Sequence, residues 1–388
     1  MNLSDRIESL LMQVQKPARY MGGEFNSVMK NPADVDVRFA FLFPDTYEVG
    51  MSHLGMKILY HTINARKDAW CERVFSPWVD MAASMRAEGV ELFSLESRTP
   101  VRAFDLLGIT LQYEMSFTNI LEALDLAGIA LRSADRDSGP FVVCGGPCAF
   151  NPEPLAPFVD FFVLGDGEAS THATIDAYIA WKRAGLARAE YLRMVSKIPG
   201  VYVPSFYDVS YHEDGTIQAV TPLDGVPATI QKRIIHDLDT VFYPETFVVP
   251  YLDVVHDRAV QEIFRGCIRG CRFCQAGFIY RPVRSKSADV VNRQARSLCD
   301  TTGYDEVSLC SLSTSDYKEL NALLEQMLDW TDSEHINISL PSLRIDNFPQ
   351  ELLKKIQSVR KSGLTFAPEA GTQRMRDVIN KNITEEEI

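Results

Sequence analysis

The sequence has no apolar run approaching the roughly 18–20 residues that cross a bilayer, so no membrane-spanning helix is expected. Its N-terminus, MNLSDRIESLLMQVQKPARYMGG, lacks the basic stretch and apolar core of a secretion signal, and a cytoplasmic location is the expectation. Basic residues are in deficit: 39 Lys and Arg against 52 Asp and Glu leave a net charge of -13, which argues against strong nucleic-acid binding. Internal repeats and low-complexity tracts are absent. A dinucleotide fingerprint is missing too. The first strand is followed by Pro44-Asp45-Thr46-Tyr47-Glu48-Val49-Gly50, and the later Gly165-Asp166-Gly167 has Ser170 where a third glycine belongs. Cysteine is sparse, 8 in 388 residues, and with no secretion signal it does not form a disulfide framework.

What is present is a chain that is 46% hydrophobic, long enough for two or three domains at ~150 residues each. Ile7, Leu10, Leu11 and Val14 have helical spacing and predict a helix packed on a core, within an N-terminal helical segment 1–35. Residues 36–195 alternate strands and helices. Val37–Phe43 (VRFAFLF) is a continuous apolar run of the kind buried parallel strands show, and 105–112, 140–146 and 160–168 are further strands. Helices are expected through Leu54, Ile58, Leu59 and Ile63, over 117–126, and through Ile175, Tyr178 and Ile179 up to Gly185. This rhythm predicts an α/β fold with a doubly wound parallel sheet. Residues 196–256, rich in proline, form a connector with short strands.

From 257 to 388 the rhythm returns as the start of a (β/α) barrel. Strands are expected at Ala259–Phe264, 306–312, 335–340 and 363–370. The helices carry Val290, Val291, Ala295 and Leu298 behind a Ser287 cap; Leu320, Leu323, Leu324, Met327 and Leu328; Leu352, Leu353, Ile356 and Val359 behind Pro349; and Met375, Val378 and Ile379 behind Thr372. Four units are half of an eight-unit barrel of ~250 residues. Thr384-Glu385-Glu386-Glu387 has the pattern of a capping box that starts another helix, with Ile388 as its first buried residue. A chain cut inside its C-terminal domain is therefore expected.

Five cysteines, Cys71, Cys144, Cys148, Cys299 and Cys310, are scattered, whereas Cys267, Cys271 and Cys274 sit in Phe264-Arg-Gly-Cys-Ile-Arg-Gly-Cys-Arg-Phe-Cys274. Chance gives about 0.003 such CxxxCxxC triplets at this cysteine content. Iron–sulfur cubanes take four thiolates, so three on one loop leave one iron open, and an open metal position is a substrate site. Gly266 and Gly270 let the loop wrap closely, and Arg265, Arg269 and Arg272 offset the cluster's charge. A zinc or plain electron-transfer site is the competing reading. Its nearest histidine is His256, which precedes a strand and is poorly placed to complete a tetrahedron.

CxxxCxxC with Phe273 before the last cysteine resembles the motif of the radical S-adenosylmethionine (SAM) superfamily. The resemblance implies a [4Fe-4S] cluster on Cys267, Cys271 and Cys274, SAM chelated at the open iron, and reductive cleavage to a 5′-deoxyadenosyl radical. It also implies a low-potential electron donor of flavodoxin or ferredoxin type. Phe273 would pack near the adenine, and Ser313, Ser339, Ser342, Arg344 and Glu369 follow strands where that family places cosubstrate contacts. Cys310-Ser311-Leu312-Ser313-Thr314 lacks the family's glycines. Pro368-Glu369-Ala370-Gly371-Thr372 resembles the Glu-Ser-Gly motif of Elongator-like and methylthiotransferase-like branches, with Ala370 in the serine's place. A methylthiotransferase-like RNA modifier would want a second cluster, for which Cys144 and Cys148 are too few. A non-catalytic iron–sulfur or zinc protein is the alternative from another class.

Upstream, Pro44-Asp45-Thr46-Tyr47-Glu48 with Ser52-His53-Leu54-Gly55, Cys144-Gly145-Gly146-Pro147 and Gly165-Asp166-Gly167-Glu168 resemble the loops of cobalamin-binding domains fused to radical enzymes. The histidine motif DxHxxG of cobalt-ligating domains is absent; His53 is followed by Leu54-Gly55, one residue too short. Cobalamin bound without histidine, or a domain kept for docking, are the two expectations. His53 itself fits a core or capping role. The substrate is not named by the sequence.

Overall fold

The computed structural model describes residues 3–223, 225–347 and 366–388. The chain divides into two compact units, Met1–Ile234 with Val248–Val255, and Ile235–Phe247 with His256–Ile388.

The first unit contains α1 (Leu3–Leu11), β1 (Val37–Phe43), α2 (Tyr47–Gly50), α3 (Leu54–Asn64), β2 (Ala69–Phe75), α4 (Val79–Glu88), β3 (Leu106–Thr110), α5 (Phe117–Leu126), β4 (Phe141–Gly145), β5 (Phe161–Val163), α6 (Gly167–Ala184), α7 (Arg188–Val195) and β6 (Val201–Tyr202). The strands form one sheet in the order β2-β1-β3-β4-β5-β6, parallel except for β6. Side chains alternate across a strand. Ala40 and Leu42 of β1 therefore join one core with Ile7, Leu10, Met81, Met85 and Ile120, while Phe39, Phe41 and Phe43 join another with Met56, Tyr60, Ile175 and Tyr191. Both faces are covered, as the continuous apolar run of β1 requires. A two-stranded ribbon follows, β7 (Tyr207–Tyr211) and β8 (Ile217–Pro222).

β2 and α4 were not anticipated. The sequence of β2, AWCERVF, is interrupted by Glu72 and Arg73, yet all seven residues are buried. Charge is tolerated there because it is paired. Arg73 Nη2 donates to Glu24 at 2.7 Å and Nε to Glu96 at 2.7 Å, and the Arg73 amide donates to Glu96 at 2.7 Å.

The second unit contains β9 (Ala259–Glu262), β10 (Phe264–Arg265), α8 (Ala276–Ile279), β11 (Arg284–Ser285), α9 (Ala288–Thr302), β12 (Glu306–Cys310), α10 (Leu320–Glu334), β13 (Asn337–Ser339) and α11 (Gln373–Val378). β13, β12 and β9 make a parallel sheet in that order, with α9 against β9 and β12 and α10 beside α9. Ser287 caps α9 by accepting the Val290 amide, and Thr372 caps α11 by accepting that of Met375.

The expected helix of Pro349, Leu352, Leu353, Ile356 and Val359 lies outside the described residues. Of the expected fourth strand, 363–370, the described part 366–370 is not strand. Pro368 offers no amide for a ladder, and Glu369 has a left-handed backbone, φ 69°. The apolar face expected of α11 is also corrected. Met375 and Val378 are exposed, and the buried residue is Arg376, whose guanidinium donates to Ile383 O, Ala370 O, Gln373 and Glu385. Four hydrogen bonds satisfy a charge that burial would otherwise penalise. The capping box closes, with Thr384 N–H and Oγ1–H both donating to Glu387 at 2.7 and 2.9 Å and the Glu387 amide returning to Thr384 Oγ1 at 3.3 Å, but 385–387 form a turn and not the expected helix. Ile388, expected to be buried, is exposed.

Candidate active site at the strand ends

The three clustered cysteines lie on the excursion that leaves β10 and returns as β11, an antiparallel pair in which Phe264 faces Ser285 and Arg265 faces Arg284. This places them just past the C-terminal end of β9. Gly266 makes the exit turn with φ 93°. A Cβ there would stand 2.7 Å from Tyr280 O and 2.9 Å from Pro282 O, so only glycine lets the outgoing and returning backbones approach this closely.

Cys267, Cys271 and Cys274 are half-buried, unlike Cys71, Cys144, Cys148 and Cys299, which are buried. Burial pushes the Cys148 thiol up to about 11 and the Cys299 thiol up to about 12, so these remain protonated at neutral pH. Thiolate ligands must be deprotonated and reachable, and the loop cysteines are the clustered, accessible ones. Among the described residues no group of three His, Cys, Asp or Glu side chains is gathered closely enough to hold a single metal ion. A cubane makes a different demand, since each thiolate binds its own iron. Three reachable thiols on one glycine-turned loop are a donor set of the right chemistry for it.

The loop is fastened to the neighbouring strand ends. The Arg269 amide points at Cys267 Sγ, 3.4 Å away. Its guanidinium donates from Nε to Asp316 Oδ2 at 2.9 Å and from Nη1 to Asp346 Oδ2 at 3.3 Å. Asp316 lies past β12 and Asp346 past β13. Ser313, buried, donates to Asp316 at 2.7 Å. Arg344, also buried, forks onto Asp346 at 2.8 and 2.9 Å and donates to Lys381 O at 3.0 Å. From the far side, Asn380 Nδ2 donates to Gly270 O at 2.8 Å, and the Arg272 amide to Ile379 O at 2.9 Å.

The expected site residues are thus distributed unevenly. Ser313 and Arg344 stand beside the cysteine loop, but their polar atoms are engaged with Asp316 and Asp346. Phe273 is 56% exposed. Glu369 is exposed, with its carboxylate 3.1 Å from Lys381 Nζ. Ser339 ends β13, and Ser342 O accepts the Thr314 amide. The charge-offsetting role expected of the loop arginines needs revision: Arg265 is paired with Glu262 at 2.8 Å and Arg269 with two aspartates, so both are balanced by the protein itself. The hydrogen bond to Asp316, its largest influence, also holds the Arg269 guanidinium above its ordinary range.

Sequence reasoning missed Asp316 and Asp346, which carry no local motif. It also missed the sheet face opposite Val307 and Leu309, where Glu262 pairs in register with Cys310. Burial, then the Glu262 charge, push the Cys310 thiol up to about 11, so it stays S–H at neutral pH.

In the first unit, His53 caps α3, its Nδ1 accepting the Met56 amide at 3.1 Å. Burial lowers it to about 4, so the ring is neutral and committed to the fold. Gly146 and Gly165 have φ 105° and 99°, but the space beside them is filled from within: an added Cβ would meet Leu111 O at 2.7 Å and Arg233 O at 2.1 Å. At the point where strand order reverses, between β1 and β3, the Tyr113 hydroxyl is bonded to Asp45, and Asn119 Nδ2 donates to Pro44 O at 3.0 Å.

Comparison with known proteins agrees with both units. A family model described as the N-terminal region of radical SAM proteins matches residues 55–204, and the radical SAM superfamily model matches 262–388. An uncharacterized protein of Methanocaldococcus jannaschii, MJ0966, is 26% identical over 350 residues, covering 90% of this chain and 64% of the relative. Two structures of TsrM, a radical SAM methyltransferase from Kitasatospora setae, share the fold at 12% identity. One, with cobalamin and a [4Fe-4S] cluster bound, has a TM-score of 0.55 over 90% of this chain and 64% of its own. The other, with tryptophan and a SAM analogue, has a TM-score of 0.53 over 91% and 62%. The chain therefore spans just under two thirds of these relatives' length. With radical SAM models matching 55–204 and 262–388, this chain belongs to the radical S-adenosylmethionine superfamily.

Proposed function

We propose that the protein containing this chain cleaves SAM reductively at a [4Fe-4S] cluster held by Cys267, Cys271 and Cys274, and uses the resulting radical to abstract a hydrogen atom from its substrate. The observation that supports this most is the loop itself: three reachable thiols, turned by Gly266 and tied to the ends of β12 and β13. When bound, the cluster would supply one electron to the sulfonium, breaking its bond to C5′ and leaving methionine and a 5′-deoxyadenosyl radical.

The chain's own residues hold and orient. The cysteines would provide three thiolates and leave one iron open to the amino and carboxylate groups of SAM. Glu369 and Phe273, both exposed residues of the second unit, are the proposed polar and stacking contacts for the cosubstrate. Ser313 and Arg344 shape the rim through Asp316 and Asp346. A flavodoxin- or ferredoxin-type donor is the proposed electron source.

The test is anaerobic reconstitution with iron and sulfide, followed by dithionite and SAM. Methionine and 5′-deoxyadenosine are expected in equal amounts; a cluster-loaded full-length protein that forms neither contradicts the proposal.

One of the TsrM structures holds cobalamin, and this chain shares its fold over 90% of its length. The residues here do not fit histidine-ligated cobalamin, because His53 Nδ1 accepts the Met56 amide, which puts the neutral ring's proton on Nε2 and leaves no lone pair for cobalt. Titration with hydroxocobalamin, followed by absorbance, is expected to show no histidine-ligated spectrum; such a spectrum, lost in His53→Ala, would reverse this assignment.

A further inference from the structure

The same four side chains recur at the three strand ends: Arg269, Asp316, Asp346 and Arg344. Two guanidinium groups meet two carboxylates, so the set is neutral as a whole, and its contribution to the loop is positional. Arg269 sits between Cys267 and Cys271, and it is the member that reaches both aspartates. Each aspartate is held in turn, Asp316 by Ser313 and Asp346 by the two-pronged Arg344. Charge-assisted bonds of this kind are the stronger ones and, when forked, fix direction.

We infer that Arg269 is a positioning residue that locks the cysteine loop to the ends of β12 and β13, so that ligand loop and cosubstrate-facing strand ends keep one geometry. The inference rests on the proposed function only for its meaning; the lock itself is made of protein side chains alone. Arg269→Ala removes both bonds and leaves the cysteines in place. It also leaves Asp316 and Asp346 with one guanidinium between them, one uncompensated negative charge beside the loop. Arg269→Lys restores the charge but not the planar fork.

Two measurements separate the lock from the chemistry. The first is hydrogen exchange on the metal-free chain. Amides of residues 267–272 should exchange at least about tenfold faster in Arg269→Ala, as expected for loss of one charge-assisted hydrogen bond, with α9 unchanged. The second is the reduced cluster's electron paramagnetic resonance spectrum after reconstitution. Arg269→Ala should load as much iron and sulfide as wild type, show a lower reduction potential, and lose the spectral change that SAM causes. Arg269→Lys should recover the potential and not the SAM response. Wild-type exchange in the alanine variant overturns the inference. So does an undiminished SAM response in that variant, or full recovery of that response by lysine. If wild type takes up no cluster, the proposed function fails, and the exchange experiment still decides on the lock.

Discussion

Cys271→Ala is expected to leave reconstituted protein without a stable cubane and to bring SAM cleavage down to background. The loss is large because nothing nearby can substitute. Iron–sulfur clusters are held by thiolates, and a loop offering three has none to spare when one iron must stay open. The other cysteines cannot step in. Cys71, Cys144, Cys148 and Cys299 are buried, and the Cys310 thiol is pushed up to about 11. Cys299→Ala, on the inner face of α9, is the control and should retain the iron content of wild type in its folded fraction. The assay reads iron, sulfide and 5′-deoxyadenosine from one preparation. Normal iron content in Cys271→Ala would mean that the ligands lie elsewhere.

Arg73→Met is expected to destabilise the first unit by about 3–5 kcal/mol, the range for breaking a buried ion pair on one side only. Domains are stable by only about 5–15 kcal/mol, so insoluble or partly unfolded protein is the expected outcome at neutral pH. Arg73, Glu24 and Glu96 are all buried, and the Tyr47 hydroxyl also donates to Glu24 at 2.9 Å. Burial by itself raises both carboxylates. At Glu24 the Arg73 charge and hydrogen bonds outweigh burial, and the group ends below its ordinary value; at Glu96 burial prevails and it ends above.

Removing Arg73 takes away the lowering influence at both. The folded-state values then lie above the unfolded ones, the folded state holds protons more tightly, and the variant's deficit is full above those raised values and shrinks as pH falls through them. Denaturant melts at pH 8 and pH 5.5 check this. The gap from wild type should be smaller at pH 5.5, and an equal gap at both would show that the two carboxylates are not what the arginine neutralises.

Much of the fold was legible because local chemistry and burial agreed. Val37–Phe43 is apolar except for Arg38 and lies inside a sheet covered on both faces. Ser287 announces α9, and its side chain does accept the Val290 amide. β2 was hidden because Glu72 and Arg73 break its apolar run, and the partners that make them tolerable, Glu24 and Glu96, lie 49 and 23 residues from Arg73. α11 was misjudged in orientation for the same reason: apolar spacing pointed to Met375 and Val378, whereas Arg376 has four partners that outweigh the cost of burying it.

The site divides in a similar way. The cysteine loop is contiguous, so its spacing alone made it the candidate. The groups that fasten it are not: Asp316 and Asp346 are 47 and 77 residues from Arg269 and become neighbours only because parallel strands bring successive C-terminal ends together. The loops of the first unit resembled cofactor loops in their glycines. At Gly146 and Gly165 the backbone needs that freedom to admit Leu111 and Arg233.

Elemental analysis of wild-type protein, isolated and reconstituted without oxygen, bears most directly on the account. Iron and acid-labile sulfide in equal amounts, approaching about four of each per chain, are predicted for a cubane on Cys267, Cys271 and Cys274. Zinc with no sulfide would contradict it, because a closed zinc site has no electron to give.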